Sequence, residues 1–194
     1  MGSKDFLYGT KEKYKVLAKK QGYESRSVFK LKEIDKKFNI IIKNSIILDL
    51  GYWPGGWIEY CSKKAKHCIG IDIKEPNKNL KQKNITLIQQ DIFKDINIQP
   101  VDTIISDMMS KTTGKKNIDT YNSYLLCQRA LEIAIQYLKD KGNLVVKMFE
   151  SEHTNNFIKE CKKYFKTVKI FKPKSSRPNS KETFIICKNY TKIK

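Results

Sequence analysis

The segment DLGYWPGGW, residues 49–57, ends an apolar run on an aspartate and then turns through three glycines. Glycine in a tight strand-to-helix turn lets a ligand come close to the backbone. The spacing is G-x-x-x-G-G, so the dinucleotide fingerprint G-x-G-x-x-G and the phosphate loop G-x-x-x-x-G-K-[ST] are both absent. The turn therefore favours a nucleoside-type cofactor without a phosphate group to be bound.

Acidic residues also stand at or just after the ends of other apolar runs, at Asp72, Asp91 and Asp107. Open α/β sheets bind ligands at the carboxyl ends of their strands. Asp72 follows the glycine turn by about twenty residues, the usual distance for an acid that accepts both ribose hydroxyls. NAD and S-adenosyl-L-methionine share that ribose, and the glycine spacing favours the second only modestly.

Lys147 lies inside the apolar run LVVKMF. A lysine in such a run is costly unless it is paired or has a chemical use, for example as a general base. The alternative is a lysine near a strand end whose amine reaches solvent. The residues alone leave both interpretations open.

Seven apolar runs of strand length recur along the chain, and most lack strict alternation. They are SIILDL, HCIGIDI, NITLIQQ, VDTIISD, NLVVKMF, TVKIFKP and TFIICKN. Such runs are typical of strands buried on both faces. Helical spacing is found in SRSVFKLKEIDKKF, in YNSYLLCQRALEIAIQYLKDKG, which we expect to end at Gly142, and in HTNNFIKECKKYF. The pattern predicts a three-layer α/β fold with a mostly parallel sheet, and the short KSSRPNSKE connection makes the last two strands antiparallel.

The formal net charge is +19, and the excess lies at the two ends of the chain. Residues 1–43 carry 12 basic and 5 acidic side chains, residues 44–158 carry 15 and 13, and residues 159–194 carry 12 and 2. This asymmetry indicates a nucleic acid that touches both ends. A coding bias explains the preference for lysine over arginine, but it does not explain why acids avoid the ends.

Several classes of protein are disfavoured by the sequence. No apolar run reaches the length of a membrane span, and the N-terminus lacks the apolar core of a signal peptide. Five scattered cysteines and two histidines indicate neither a zinc site nor a disulfide framework. We therefore expect reduced thiols, no metal, no membrane partner and an intracellular location, which is cytoplasmic, organellar (mitochondrion or plastid-like) or nucleolar.

Seven motifs in register resemble the FtsJ family of S-adenosyl-L-methionine-dependent RNA ribose 2′-O-methyltransferases. They are SRSVFKLKEID, DLGYWPGGW, GIDI, QQDIF, IISDM, LVVKMF and KPKSSRPNSKETFII. The resemblance implies a Rossmann-like methyltransferase fold, with a seven-stranded mostly parallel sheet, an antiparallel last strand and helices on both faces. It also implies a single methyltransferase domain over 1–194, with a basic N-terminal helical arm (1–43) and a catalytic core (44–194). Two departures, Tyr52-Trp53 in place of small residues and SDMMSK in place of SDMAPN, leave the shape of the methionine pocket and substrate rim open.

The same resemblance assigns functional residues. The catalytic residues are Lys30, Asp107, Lys147 and Glu182. We expect Lys147 to act as the base or as the group that orients the hydroxyl, since a 2′-hydroxyl must be deprotonated or strongly oriented before it accepts a methyl group. The cofactor-binding residues are Gly51, Pro54, Gly55, Gly56, Trp57, Asp72, Ile73, Asp91, Ile92 and Asp107.

The chain length is typical of the branch of this family that methylates large-subunit ribosomal RNA. The expected substrate is thus a uridine of 23S-type RNA, and the expected partner is ribosomal RNA or the large ribosomal subunit, contacted by a monomer through its basic ends. Transfer RNA and messenger RNA caps are alternative substrates within the family. A catalytically silent RNA-binding assembly factor, and a methyltransferase for small molecules or proteins, are alternatives of other classes.

Overall fold

The computed structural model describes residues 3–177 and 179–192, with side chains from residue 12 onward. Its strands form one seven-stranded sheet in the order β3-β2-β1-β4-β5-β7-β6. The strands are β1 (Ile46–Leu50), β2 (His67–Asp72), β3 (Ile85–Gln89), β4 (Val101–Ser106), β5 (Leu138–Phe149), β6 (Phe165–Phe171) and β7 (Glu182–Tyr190). β7 is antiparallel to both of its neighbours and the pairs on the other side of β5 are parallel, which confirms the predicted sheet.

Helices cover both faces of this sheet, as predicted. They are α1 (Ser3–Lys20), α2 (Val28–Phe38), α3 (Gly56–Ser62), α4 (Lys116–Tyr137) and α5 (His153–Tyr164). α2 and α3 share one buried apolar layer with the sheet, and α4 and α5 share the other. Residues 1–2 of the predicted arm lie outside the described residues.

The end of α4 differs from the prediction. The helix stops at Tyr137 rather than running to Gly142, because Leu138 already belongs to β5 and pairs with Val101 of β4. The apolar side chain of Leu138 fits the helical stripe, but its backbone is used by the sheet. Hydrogen bonding to a neighbouring strand is a tertiary effect that the local sequence pattern does not contain.

One row of side chains on the α2/α3 face runs from the core to the carboxyl edge of the sheet. Its apolar members are fully buried, namely Ile105, Val145 and Phe184. Alternate residues of a strand share a face, so the residues two positions away, Asp107, Lys147 and Glu182, continue this row. The period of the strands therefore carries three charged residues to the edge of an apolar layer.

α1 packs against the rest of the chain through a small apolar cluster. Ala18 is buried with Val28 and Phe29, and the rings of Tyr14 and Phe29 have their centroids 5.2 Å apart. In the part of the chain that the structure describes, no helix is long and apolar enough to cross a membrane, and no cluster of histidine, cysteine and acidic residues suits a metal ion. All five cysteines are buried free thiols.

Candidate active site

A cleft of about 1080 Å³ opens at the carboxyl edge of the sheet. This is where parallel α/β sheets bind ligands. The sheet order places Asp72 and Asp91 at the β2/β3 end of the cleft, and Lys147 and Glu182 at the β5/β7 end. The volume exceeds the roughly 300–1,000 Å³ of a site for one small molecule, so the cleft has room for two reactants.

Four charged side chains alternate in sign at the β5/β7 end. Lys147 Nζ lies 3.0 Å from Asp107 Oδ1 and donates a hydrogen bond of 2.6 Å to the Asp107 carbonyl oxygen. Lys30 Nζ lies 2.7 Å from Glu182 Oε2 and 3.8 Å from Asp107 Oδ1. The side chain of Lys147 is only 5% exposed, and the other three are between 11% and 18% exposed. The row Glu182–Lys30–Asp107–Lys147 is thus a largely buried and formally neutral network, in which each charge has an opposite neighbour.

Polar contacts outside this row hold it in place. Ser176 Oγ donates a hydrogen bond of 2.9 Å to Glu182 Oε1. Glu33, one turn after Lys30 on α2, accepts hydrogen bonds from the backbone N–H groups of Lys174 (2.7 Å) and Ser175 (2.9 Å). These bonds tie α2 to the segment before β7, so the distance between Lys30 and Glu182 is fixed from both sides. The sequence motif KSSRPNS contains Ser176, but nothing in it indicated this role.

Two arginines that the residue assignment did not include also line the cleft. They are Arg26, just before α2, and Arg177, just before β7. Burial lowers the pKa of Arg26, and the positive charge of Arg177 lowers it further, while Glu182 and Asp107 act in the opposite direction. The sequence contained one signal that could have identified them: arginine is rare in this chain, since only three of its 39 basic residues are arginines.

Asp72 is the most clearly positioned acid at the other end of the cleft. The backbone N–H of Trp53 donates to its Oδ2 at 3.1 Å, and the backbone N–H of Lys74 donates to its Oδ1 at 3.0 Å. Each carboxylate oxygen has two acceptor sites, so both retain capacity for a further donor in the cleft. The carboxylate is therefore oriented by the backbone to receive a pair of hydroxyl groups.

Apolar surface accompanies the acids at this end. Ile73 is 68% exposed and Phe93 is 58% exposed, and both line the cleft. Asp91 is also exposed, and its Oδ1 accepts the backbone N–H of Phe93 at 3.0 Å, whereas Ile92 is largely buried and lines the cleft. Exposed apolar side chains beside oriented acceptors are typical of sites for flat heterocycles such as adenine.

The glycine turn is shaped by the backbone and by close packing. Gly51 and Gly55 have φ of 73° and 130°, which side chains rarely permit. A Cβ on Gly51 would collide with Met108, and a Cβ on Gly55 would lie 2.8 Å from Leu80. Gly51 lines the cleft, and the tight turn brings its backbone to the cleft surface.

The later residues of the turn lie behind this surface. A Cβ on Gly56 would lie 2.9 Å from the carbonyl oxygen of Ser25, so glycine lets α3 pack against the segment before α2. Trp57 is buried, and its indole N–H donates to the carbonyl oxygen of Ser27 at 2.8 Å. Pro54, Gly55 and Gly56 are not among the residues that line the cleft, and their contact with a cofactor stays a prediction.

Asp49 is a buried acid at the base of the turn. Neither carboxylate oxygen has a hydrogen-bond partner among the described residues. Burial raises its pKa well above the ordinary value, and the negative charges of Asp107 and Asp72 raise it further. Asp49, Asp107 and Trp57 border a small cavity of about 20 Å³, which has room for one water-sized group. An unpaired buried carboxylate suits a cationic ligand group, such as the α-ammonium of an amino acid.

The two bulky residues that depart from the family motif have different surroundings. Tyr52 is buried in the α2/α3 layer, and a Cβ on Gly70 of β2 would lie 2.8 Å from its ring. Trp53 is 37% exposed at the edge of the cleft, and Lys74 Nζ lies 5.4 Å from its ring centroid. Tyr52 therefore points away from the cleft, and of these two residues only Trp53 changes its wall. The residues of the second departure, Met109, Ser110 and Lys111, also line the cleft.

Comparison with known proteins agrees with this geometry. Residues 23–190 match the model of the FtsJ-like methyltransferase family. A protein of Picrophilus torridus named ribosomal RNA large subunit methyltransferase E is 40% identical over 92% of this chain and 97% of its own length. A Wolbachia pipientis protein of the same name is also 40% identical, over 90% of this chain and 93% of its own.

Solved structures share the architecture. A crystal structure from Plasmodium falciparum, described as that of a ribosomal RNA methyltransferase, aligns with a TM-score of 0.77 and 32% identity over 88% of this chain and all of that chain. A Streptococcus mutans protein solved with S-adenosylhomocysteine aligns at a TM-score of 0.55 and 20% identity, over 78% of this chain and 90% of its own, which shows the fold alone. The fold and cleft define a Rossmann-like methyltransferase that uses S-adenosyl-L-methionine. The chain belongs to the FtsJ-like methyltransferase family.

Proposed function

We propose that this protein methylates the ribose 2′-hydroxyl of a uridine in large-subunit ribosomal RNA. The observation that carries the proposal is the buried row Glu182–Lys30–Asp107–Lys147 at one end of a cleft whose other end suits a nucleoside. The relatives from Picrophilus torridus and Wolbachia pipientis are named for large-subunit ribosomal RNA, which supports the choice of substrate.

The proposed site for the methyl donor uses side chains that can still accept hydrogen bonds or pair with a positive charge. S-adenosyl-L-methionine supplies an electrophilic methyl group on a positively charged sulfur. Asp72 accepts the two ribose hydroxyls of the donor, and Ile73 and Phe93 provide apolar surface for its adenine. Asp49, which has no partner in the described chain, takes the α-ammonium. The buried cysteines and the core face of Tyr52 have no part in this arrangement.

Lys147 is the group that meets the ribose hydroxyl. An ammonium has three N–H donors, and one of those on Lys147 is directed to the carbonyl oxygen of Asp107, while the Asp107 carboxylate lies at ion-pair distance. A remaining donor is available to the cleft, where it orients O2′ and stabilises its developing negative charge. To act as the base instead, Lys147 must first pass a proton to Asp107 across 3.0 Å. With the donor bound, O2′ would displace the sulfur from the methyl carbon, and the hydroxyl proton would pass to the neutral Lys147 amine or, where Lys147 only orients O2′, to solvent in the cleft.

Basic groups around the β5/β7 end of the cleft suit the phosphate backbone of a nucleic acid. Arg26 and Arg177 lie beside Glu182, and planar guanidinium groups bind phosphate in a bidentate manner. We propose that a monomer contacts the RNA through these groups and the basic N- and C-terminal segments. The reaction would take place inside the cell, in the compartment that contains the target ribosomes.

The test is a map of 2′-O-methyl groups in total RNA from cells with and without the protein. We expect loss of one site in large-subunit RNA, and its return with the wild-type gene but not with Lys147→Met. Loss confined to transfer RNA or to messenger RNA caps would refute the substrate. Rescue of ribosome assembly by Lys147→Met without methylation would favour the catalytically silent assembly factor.

A further inference from the structure

A cluster of aromatic rings lies on the surface where α4 and α5 begin. The rings of Tyr124 and His153 stack with centroids 4.9 Å apart and an interplanar angle of 19°. Tyr121 meets the His153 ring at 5.5 Å and 61°, and its side chain is 48% exposed. Tyr124 packs against the main core, which gives the cluster a fixed base. We call Tyr121, Tyr124 and His153 the aromatic platform.

The platform is joined to the wall of the cleft. Ser123, between the two tyrosines, accepts a hydrogen bond of 3.0 Å from the backbone N–H of Phe149. Phe149 lines the cleft and stands two residues after Lys147 on β5. The platform itself does not line the cleft, so a ligand on it would neighbour the reacting ribose rather than replace it.

Two exposed lysines, Lys116 and Lys181, lie close to the elements that carry the platform. The backbone N–H of Glu150, which follows Phe149, donates to the carbonyl oxygen of Lys181 at 2.9 Å. The approach of the positively charged Lys116 amine lowers the pKa of Lys181, and desolvation adds to this effect. Lys116 begins α4, and Lys181 directly precedes Glu182. Within the described residues, neither lysine forms an ion pair with an acid. Two adjacent ammonium groups repel unless an anion lies between them, and a phosphate is an anion of suitable size and charge.

We propose that the aromatic platform stacks the base of an unpaired nucleotide next to the methylated ribose, while Lys116 and Lys181 hold a phosphate of that strand. The inference rests on the proposed function, since it takes RNA as the substrate. An exposed ring face accepts any base, but the base must be unpaired, because the faces of paired bases are covered by their neighbours in the duplex. The site therefore selects a loop or bulge, and it places the next ribose at Lys147.

The experiment compares two probes on the full-length protein. One is a single-stranded RNA of about twelve uridines, and the other is an abasic ribose-phosphate strand of equal length, which keeps the charge and removes stacking. Wild-type protein should bind the uridine strand at least about fivefold more tightly, the lower end of what one stacked base contributes. Tyr121→Ala should remove this preference, and Tyr121→Phe should keep it.

The lysines give a separate signature. Lys181→Met should weaken binding of both probes alike and reduce the log–log salt slope by somewhat under one. The matched control is Lys169→Met, because Lys169 is an exposed lysine on β6, away from the cleft, and its loss should have a smaller effect on both quantities. Thermal unfolding of each variant shows whether the fold is retained.

The outcomes separate this inference from the proposed function. If Tyr121→Ala weakens both probes equally, or neither, the platform does not stack bases and the inference is wrong, even if the wild type methylates RNA. If the preference depends on Tyr121 but the wild type transfers no methyl group to ribose, the proposed function fails and the platform stands as an RNA-binding site.

Discussion

Replacement of Lys147 by methionine tests the proposed catalytic network directly. Methionine has similar length, so it fills the site and removes only the cation. A positioned proton-transfer or orienting group contributes about 10²–10⁴-fold to a rate. At about 1.4 kcal/mol per tenfold, the barrier to methyl transfer should rise by about 3–5 kcal/mol. Donor binding should be unchanged, because Asp72 and the exposed apolar side chains lie at the other end of the cleft.

The structure also sets the expected change in stability. Removal of one partner from a buried ion pair destabilises a protein by about 3–5 kcal/mol, since a charge is left without compensation. Here Lys30 Nζ lies 3.8 Å from the same Asp107 oxygen and can replace part of the lost attraction. We therefore expect a loss at or below the lower end of that range. The double variant with Asp107→Asn should regain stability, because it removes the unpaired carboxylate, but it should not regain activity.

The assay is single-turnover transfer of labelled methyl to unmodified large ribosomal subunits, with donor binding followed by calorimetry. The matched control is Lys188→Met. Lys188 also lies on a strand of the sheet and donates a 2.6 Å hydrogen bond to a backbone carbonyl, that of Phe38, but it lies outside the cleft. Transfer by Lys147→Met at more than about a tenth of the wild-type rate would show that Lys147 is neither the base nor an essential orienting group.

Three further predictions concern the donor site, the buried acid and the basic arm. Asp72→Ala should weaken donor binding at least about tenfold, because a hydrogen bond to a charged group contributes about 1.5–3 kcal/mol; calorimetry that shows the same affinity as the control Asp95→Ala would contradict this. The raised pKa of Asp49 means that its contribution to stability is present below its unfolded-state pKa and is lost as the pH rises through its folded-state pKa. The melting temperature of Asp49→Asn, relative to that of the wild type, should therefore rise as the pH is raised from mildly acidic to mildly alkaline. A difference that does not change with pH would refute the burial argument. Neutralising the exposed lysines of α1, namely Lys13, Lys19 and Lys20, should weaken RNA binding without a change in donor affinity. The slope of log affinity against log salt concentration should become shallower by somewhat under one for each lost phosphate contact. An unchanged slope would mean that RNA docks elsewhere.

Local pattern and motif order predicted most of the architecture. The unbroken apolar runs predicted strands buried on both faces, and strands such as β1 and β4 are so buried. The short KSSRPNSKE connection predicted the antiparallel pair β6–β7, whereas Glu182 is placed opposite Phe149 by the pairing of β7 with β5. The position of Lys147 in an apolar run indicated that its amine needed a partner, and Asp107 provides one.

The rest depends on contacts between residues that are distant in the chain. The support of Glu182 by Ser176 requires the fold of the loop before β7, and the end of α4 requires the pairing of Leu138 with Val101. The local sequence contains neither. The surroundings of Tyr52 likewise depend on Gly70, 18 positions later on another strand. The spacing of residues in the sequence therefore predicted which helix or strand carries each functional residue. It did not predict which other side chains contact and support that residue.

In this protein the charges that we propose attract RNA are different from the charges of the proposed catalytic row. The proposed catalytic row contains two lysines and two acids and is formally neutral, whereas the chain as a whole carries +19. On the proposed function, we expect the excess positive charge to attract RNA through the exposed lysines of α1, the arginines at the cleft, and Lys116 and Lys181. Exposed charges are screened by salt far more than a buried network is. Salt should accordingly raise KM for RNA while it leaves the single-turnover rate at saturating RNA nearly constant. A rate constant that falls with salt as steeply as the affinity would mean that the catalytic row is open to solvent during the reaction.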